Sequence, residues 1–250
     1  MVANILLQKQ HPLTVSVALH LIPGILIVMA YIFIVSPFIQ SIGYPPFFGW
    51  VIAMCLALAP IELGLLYYLG WKKNRKLSLK GIVSYRDKPL KGKQLFKIVT
   101  MLIIMIFIAS SIFLPIDNLF KKIFFPWINY VSNGTDFFKG YPKHVMLISL
   151  YLSIIFIGII LPFTEELYFA GFLLPRISRY GKIAPILNIV LFSVYHFWTP
   201  WQFFSRIAFY LPTVWLTWQR EDLRISIWVH CLSNSLVQLA TIIAAYYAYK

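Results

Sequence analysis

The chain has 250 residues, of which 60% are hydrophobic and only 12% are charged. This composition excludes a soluble globular domain, in which about a quarter of the residues are charged, and several apolar runs approach the roughly 20 residues that cross a bilayer. The formal net charge is +14, but the basic residues lie largely between apolar segments, so the expected partners are membrane lipids rather than nucleic acid.

Three membrane spans are predicted in the first half of the chain, at about residues 13–37, 47–69 and 98–115. Residues 1–12 precede the first span without an evident cleavage site, which predicts a retained span rather than a removed signal peptide. The two cysteines both lie inside apolar runs, so no disulfide framework is expected.

Glu62 is the only acidic residue in the first two predicted spans. Charged groups inside a membrane are costly and usually have a partner or a function. Glu62 is therefore expected to pair with a nearby donor such as His20, and a second functional carboxylate is the alternative.

The segment 71–97 carries ten Lys or Arg residues and a single acid, Asp87. Basic loops lie on the cytoplasmic side of membranes. The segment therefore predicts a multi-pass protein of the cell membrane with this loop, and hence the N-terminus, in the cytoplasm. The stretch 117–143 then lies outside, and part of it is expected to follow the membrane interface.

The second half begins with an apolar segment that runs from about Val145 into Glu165 and Glu166. Further apolar segments follow, at about residues 183–198, 203–218 and 225–247. The total is about seven spans, or eight if the outer loop or the Glu165 segment contributes another.

The predicted fold is an all-α, polytopic transmembrane bundle of about seven or eight helices in a single domain, residues 1–250. Each span must satisfy its own backbone hydrogen bonds in lipid, which α-helices do. The alternating pattern of a membrane β-barrel is absent from the sequence. Apart from Glu62, the residues that are candidates for a functional site all lie within about residues 145–250.

Two adjacent carboxylates, Glu165 and Glu166, follow a run from Val145 to Phe163 that has no charged residue. On a helix, neighbouring side chains point about 100° apart, so one carboxylate would face a cavity and the other a structural partner. The alternative is that both mark a helix end near water.

Two histidines and an asparagine lie in the later apolar segments. His196 follows Phe192 by four residues, and Asn234 follows His230 by four residues, so each pair shares a helix face. Lone histidines in apolar helices are commonly packing residues. The second pair could donate hydrogen bonds to an oxyanion or hold two helices together, and the residues alone leave both readings open.

The three motifs in this order resemble the CPBP family of intramembrane proteases, also called the Abi or CAAX-protease family. That family includes type II CAAX prenyl endopeptidases and bacterial proteins of bacteriocin processing and self-immunity. Its pattern is EExxxR, then FxxxH, then HxxxN, on separate membrane helices, and the resemblance covers about residue 145 to the C-terminus. The matching residues are Glu165 and Glu166, then Phe192 and His196, then His230 and Asn234.

The resemblance implies an endopeptidase that cleaves a membrane-associated peptide or protein near the cytoplasmic face. It implies that Glu165, with His196, activates a water as general base, that His230 and Asn234 stabilise the oxyanion, and that Glu166 supports the site. No cofactor is favoured. A divalent metal such as zinc on Glu165, His196 and His230 is the alternative, although the HExxH spacing is absent.

One position departs from the family pattern, because Ala170 stands where the family has the arginine that pairs with the second glutamate. Glu166 is then expected to be protonated or to find another cation. Ala170→Arg is expected to preserve or raise activity if Glu166 merely lacks a partner, and to collapse expression if the site has repacked around alanine. The departure favours a second hypothesis, in which an impaired family member binds as a membrane immunity or scaffold protein. A small transporter is a third. The candidate cations are Arg176, Lys182 and Arg206.

Overall fold

The computed structural model describes residues 6–7, 9–128 and 140–248. Within these ranges the chain forms a bundle of seven helices, and the only β-type contact is an isolated bridge between Lys80 and Val83. The predicted all-α membrane bundle is confirmed. The helices are α1 (Leu13–Ser41), α2 (Pro46–Asn74), α3 (Gly92–Phe124), α4 (Lys143–Arg176), α5 (Ala184–Tyr195), α6 (Phe203–Arg220) and α7 (Arg224–Ala248).

Five of these helices, α1 to α4 and α7, are long and apolar enough to cross a membrane. The predicted spans at 183–198 and 203–218 are also helical, but α5 has only 12 residues. Its length is about 18 Å, well short of a hydrocarbon core of about 30 Å. Of the predicted outer loop, residues 117–124 continue α3, and residues 129–139 lie outside the described residues.

The centre of the bundle is the second half of α4. Between residues 161 and 177, every residue except Phe163 and Pro175 is buried. This burial explains why the run is apolar on all sides rather than on one face only, since neighbouring helices surround it. Any charged group in this stretch must therefore find its partners inside the protein.

Two segments of α4, Ile154–Ile160 and Glu166–Leu173, are wound as π-helix. Pro162 accounts for the first, because proline has no N–H to donate and its ring crowds the carbonyl four residues earlier, that of Gly158. π-Helical turns are frequent at functional sites, and Glu165 and Glu166 lie where the second segment begins.

Side chains of α7 satisfy the carbonyl groups that the first π-helical segment exposes. The Ser235 hydroxyl donates to the Gly158 carbonyl at 3.1 Å, and the Asn234 amide donates to the Ile157 carbonyl at 3.3 Å. Neighbouring helices commonly satisfy freed backbone groups in this way inside membranes. These bonds fix α7, and with it His230, against the glutamates of α4.

Gly24 of α1 lies against the end of α5. A Cβ atom at this position would overlap the carbonyl oxygen of Tyr195 and would come within 2.8 Å of its ring. The contact brings α1 close to the residues that precede the predicted catalytic histidine, and it leaves no room for a side chain.

We expect Gly24→Ala to displace Tyr195 and to lower the thermal stability of the detergent-solubilised protein, since overpacking of this kind typically costs about 1–3 kcal/mol. The matched control is Gly64→Ala in α2, where nothing lies within 4 Å of the added Cβ. Alanine there should be neutral or stabilising by up to about 1 kcal/mol. Equal melting temperatures for the two variants would contradict this close packing.

Residues 75–91, hereafter the docked segment, fold onto one end of the bundle. Ile82 and Val83 are buried there. The Ser84 N–H donates to the Gly171 carbonyl at 2.8 Å, and the Arg176 guanidinium donates to the Ile82 carbonyl at 3.0 Å. Although most of this segment is polar, it is tied to the end of α4.

Asp222 holds the docked segment to the turn before α7. Its carboxylate accepts from the Leu90 N–H at 2.7 Å and from the Arg224 guanidinium at 2.7 Å, and Arg224 also donates to the Leu90 carbonyl. Burial raises the pKa of Asp222, but the bonds from Arg224 and from the backbone N–H groups outweigh burial and hold it below its ordinary value. Its contribution to stability is therefore present at neutral pH and is lost as the pH falls below about 4.

We expect Asp222→Ala to release the docked segment and to speed tryptic cleavage at its basic residues at neutral pH, since the Leu90 N–H and Arg224 lose a charged partner. The control is Glu221→Ala, which removes the solvent-exposed ion pair with Lys88 at 2.8 Å. Exposed pairs contribute little, so this variant should be cleaved like the native protein. Identical cleavage of both variants would show that Asp222 does not hold the segment.

Candidate active site

A cavity of about 580 Å³ lies among α2, α3, α4, α6 and α7 beside the end of α5. Four predicted site residues from three parts of the chain line it: Glu165, His196, His230 and Asn234. The structure therefore brings together side chains that lie up to 69 positions apart in the sequence. The rest of the wall is largely apolar and includes Trp50, Met54, Leu114, Leu150, Leu161 and Phe192.

The cavity extends away from the docked segment. Its α2 wall lies between Phe47 and Met54, in the first turns of that helix, and its α4 wall runs from Leu150 to Glu165. The docked segment follows the opposite end of α2 and packs on the opposite end of α4. The lining residues of the cavity therefore lie toward the end of the bundle opposite the docked segment.

Glu165 is 3% exposed and lies at the inner end of the cavity. Its Oε1 atom accepts a hydrogen bond from the Tyr195 hydroxyl at 3.1 Å. Its Oε2 atom lies 3.8 Å from Nε2 of His230, too far for a direct hydrogen bond. One carboxylate oxygen is thus held in place, and the other faces His230 and the cavity.

Glu166 points away from the cavity and contacts the other side of the same imidazole. Its Oε1 lies 2.8 Å from Nδ1 of His230. In the tautomer with its hydrogen on Nδ1, His230 donates to this carboxylate oxygen. This contact fixes the ring orientation and leaves Nε2 directed at Glu165. The predicted division, with one carboxylate at the cavity and one at a structural partner, describes this arrangement.

The partner of Glu166 in place of the missing arginine is His230, and the three predicted candidates make no hydrogen bond or ion pair with Glu166 among the described residues. Arg176 donates to the Phe172 carbonyl at 2.7 Å and, as described, to the docked segment. Arg206 donates to Thr199 at 2.6 Å, and Lys182 is exposed. A sequence spacing of four residues identifies partners on the same helix, whereas His230 reaches Glu166 from α7.

His196 immediately follows the last residue of α5. Its Nδ1 lies 2.8 Å from the Phe192 carbonyl oxygen, one of the final carbonyl groups of the helix that have no intrahelical donor. Because a carbonyl oxygen only accepts, Nδ1 carries the hydrogen and Nε2 remains an acceptor. The Phe192 ring also packs on the imidazole at 4.6 Å. The FxxxH spacing therefore fixes both the position and the tautomer of His196.

Asn234 uses one amide hydrogen for the Ile157 carbonyl, so the predicted interhelical hydrogen bond is present. Its Nδ2 carries a second hydrogen, and the side chain also lines the cavity. The bond between the helices therefore leaves one amide hydrogen of Asn234 available as a donor. Both readings that the sequence left open for this residue fit its position.

The predicted pairing of Glu62 with His20 is wrong. The acid is fully buried, and its Oε1 lies 3.3 Å from the Tyr195 hydroxyl. His20 bonds instead to the Ser16 carbonyl at 2.7 Å and to the Asn188 amide at 3.1 Å. Sequence reasoning also missed Tyr195 itself, although a tyrosine directly before the FxxxH histidine was a signal available in the chain.

Arg206 is a further residue of the cavity wall that sequence reasoning placed only as an interfacial or paired cation. It is buried, and it bonds to Thr199, to the Gln202 side chain at 3.1 Å and to the Ser193 carbonyl at 3.4 Å. Its charge is thus held near His196 and Glu165 by neutral acceptors. In the part of the chain that the structure describes, no three His, Cys, Asp or Glu side chains are grouped as metal ligands.

In a comparison with known protein families, residues 147–236 match the family described as Type II CAAX prenyl endopeptidase Rce1-like. The comparisons with curated proteins and with solved structures gave no match. The matched range contains all three motifs and every residue placed at the cavity by them. The resemblance to the CAAX-protease family is confirmed over residues 147–236, which are similar to the Rce1-like family.

Proposed function

We propose that the protein is an intramembrane endopeptidase that hydrolyses a peptide bond in a membrane-associated peptide or protein. The observation that carries the proposal is the convergence of Glu165, His196, His230 and Asn234 on one cavity inside the membrane domain. A carboxylate base, hydrogen-bond donors for an oxyanion and a largely apolar wall are what peptide hydrolysis at this depth requires.

Glu165 acts as the general base. Tyr195 occupies its Oε1, so Oε2 takes the proton from a water bound beside His230 and His196. The water oxygen bonds to the carbonyl carbon of the substrate, and a tetrahedral oxyanion forms. When that intermediate collapses, the C–N bond breaks and the proton on Glu165 passes to the leaving amine.

The oxyanion is stabilised by Nε2–H of His230 and by the second amide hydrogen of Asn234. Glu166 supports the first donor, because its bond to Nδ1 favours a charged imidazole with a hydrogen on each nitrogen. Donors fixed before the reaction need no reorganisation when charge develops. His196, whose free Nε2 accepts, orients the attacking water beside Glu165.

The substrate class follows from the apolar wall. A cavity lined by residues such as Trp50, Met54 and Leu161 favours an apolar or lipid-modified segment of a peptide. Peptide maturation and bacteriocin self-immunity are the roles that we propose for such cleavage. The abundance of basic residues in 71–97 supports a cytoplasmic location for the docked segment at the cell membrane.

A binding role without catalysis, as an immunity or scaffold protein, was favoured by Ala170. The structure weakens that argument, because Glu166 has His230 as its partner.

Purified protein in detergent, incubated with membrane-anchored peptides and analysed by mass spectrometry, tests the proposal. Cleavage that resists a chelator supports it, and cleavage lost on chelation would assign a metal to the site. The absence of products together with normal cellular function of the Glu165 variant discussed below would favour the binding role.

A further inference from the structure

A chain of three polar groups leads from the proposed general base to a second buried acid. Tyr195 is fully buried, and its hydroxyl lies 3.1 Å from Glu165 Oε1 and 3.3 Å from Glu62 Oε1. Glu62 reaches this hydroxyl from α2, outside the segment that matches the family. Neither residue belongs to the three motifs.

The number of hydrogens on the three groups decides which group donates in each of these hydrogen bonds. A phenol carries one hydrogen, so it can donate to only one of the two carboxyl groups and must accept from the other. An ionised carboxylate cannot donate. One of the two acids therefore carries a proton while both contacts are made.

The surroundings of the two acids show which one carries the proton. Oε2 of Glu62 has no hydrogen-bond partner among the described residues, and burying an unpaired carboxylate is very costly. Glu165 instead faces His230 from α7, lies beside Glu166, and shares the cavity with Arg206 of α6. Arg206, together with His230 when it is protonated, therefore favours the ionised form of Glu165. Glu62 is then the acid that remains a neutral carboxylic acid.

We propose that Glu62 is a positioning residue for the catalytic base, a neutral acid that donates to Tyr195 so that Tyr195 donates to Glu165. The inference rests on the proposed function of Glu165. The arrangement fixes the single hydroxyl hydrogen toward Oε1, stabilises the ionised base and leaves Oε2 free for water. Without Glu62, the hydroxyl remains but can turn away from Glu165.

Tyr195→Phe removes the hydroxyl and keeps the ring, which packs against Phe169 at 4.8 Å. We expect kcat to fall about 10- to 100-fold, the effect of losing a hydrogen bond to a charged group, and the acidic limb of the pH–rate profile to move to higher pH. The control is Tyr168→Phe, which deletes an equally buried hydroxyl that donates to the Leu19 carbonyl at 2.8 Å. Its pH profile should not move.

Substitutions of Glu62 show whether this side chain acts as a hydrogen-bond donor or as a negative charge. Glu62→Leu should reproduce the kinetic defect of Tyr195→Phe, and Glu62→Gln should restore kcat to within a few fold of native, because its amide donates as a carboxylic acid does. If Glu62 acted as an ionised group, Glu62→Gln would be as inactive as Glu62→Leu, and the inference would be overturned.

Infrared spectroscopy tests the protonation of Glu62 without using activity. The native protein should show the C=O band of a buried carboxylic acid, which Glu62→Gln removes and Tyr195→Phe shifts. If this pattern is found but the native protein cleaves no peptide, the proposed function fails and the bond between Glu62 and Tyr195 stands. If cleavage depends on Glu165 but the band survives in Glu62→Gln, this inference alone fails.

Discussion

Glu165→Gln will reduce peptide cleavage by about a thousandfold, the middle of the range that general bases contribute. Glutamine keeps the size of the side chain and can accept from Tyr195 through its carbonyl oxygen, so the fold should be preserved. It cannot take a proton from water at the position that faces His230. The measurement is the single-turnover rate of cleavage by purified variants of equal melting temperature.

The matched control for this variant is Glu221→Gln, the same change at an exposed glutamate of the turn before α7. It should cleave at the native rate. A Glu165→Gln protein that cleaves like the control would remove Glu165 from the proposed mechanism, and His196→Ala and His230→Ala would then show whether the cavity has any role in the reaction.

Ala170→Arg will prevent folding rather than restore activity. Ala170 is 2% exposed and lies inside the second π-helical segment of α4, at the centre of the bundle. An arginine there would overpack the core and bury a charge whose expected partner, Glu166, already bonds to His230. A buried ion without its partner costs about 3–5 kcal/mol, and expression with a monodisperse elution profile is the measurement.

Ala170→Ser is the control, because it adds one oxygen and no charge at the same position. We expect this variant to fold and to retain cleavage. An Ala170→Arg protein that folds and cleaves faster than native would restore the simpler expectation from the family pattern, in which the position lacks only its arginine. That result would also mean that Glu166 can bond to an arginine instead of His230 without loss of folding or cleavage.

The membrane helices were predictable because apolar runs of sufficient length have few alternatives in a bilayer. That His196 and His230 line the same cavity as Glu165 was predictable only through the motifs, since no local rule brings these distant residues together. The length of α5 was not predictable, because the apolar run continues past the point where the His196 ring bonds to the Phe192 carbonyl and the helix ends.

Contacts between distant segments explain the remaining errors. The candidate partners predicted for Glu166 were Arg176, Lys182 and Arg206, but its partner is His230, which lies 64 positions after it. Glu62 was assigned to His20, yet it bonds to Tyr195 across 133 positions. Polar groups in a membrane protein find partners wherever packing brings them, and a single sequence does not record those distances.

The docked segment has a consequence for turnover. Because it covers one end of the bundle, the cavity walls lead from Glu165 toward the other end, where α2 begins. Measured from that other end, Glu165 lies 22 residues after Lys143, the first residue of α4, a depth of about 33 Å along that helix. A folded protein surface cannot enter so narrow and deep a space, whereas an extended tail can. If the protein is the proposed peptidase and the docked segment keeps its end closed, both halves of a cleaved tail leave by the path along which the substrate arrived, and inhibition by product is the expected result.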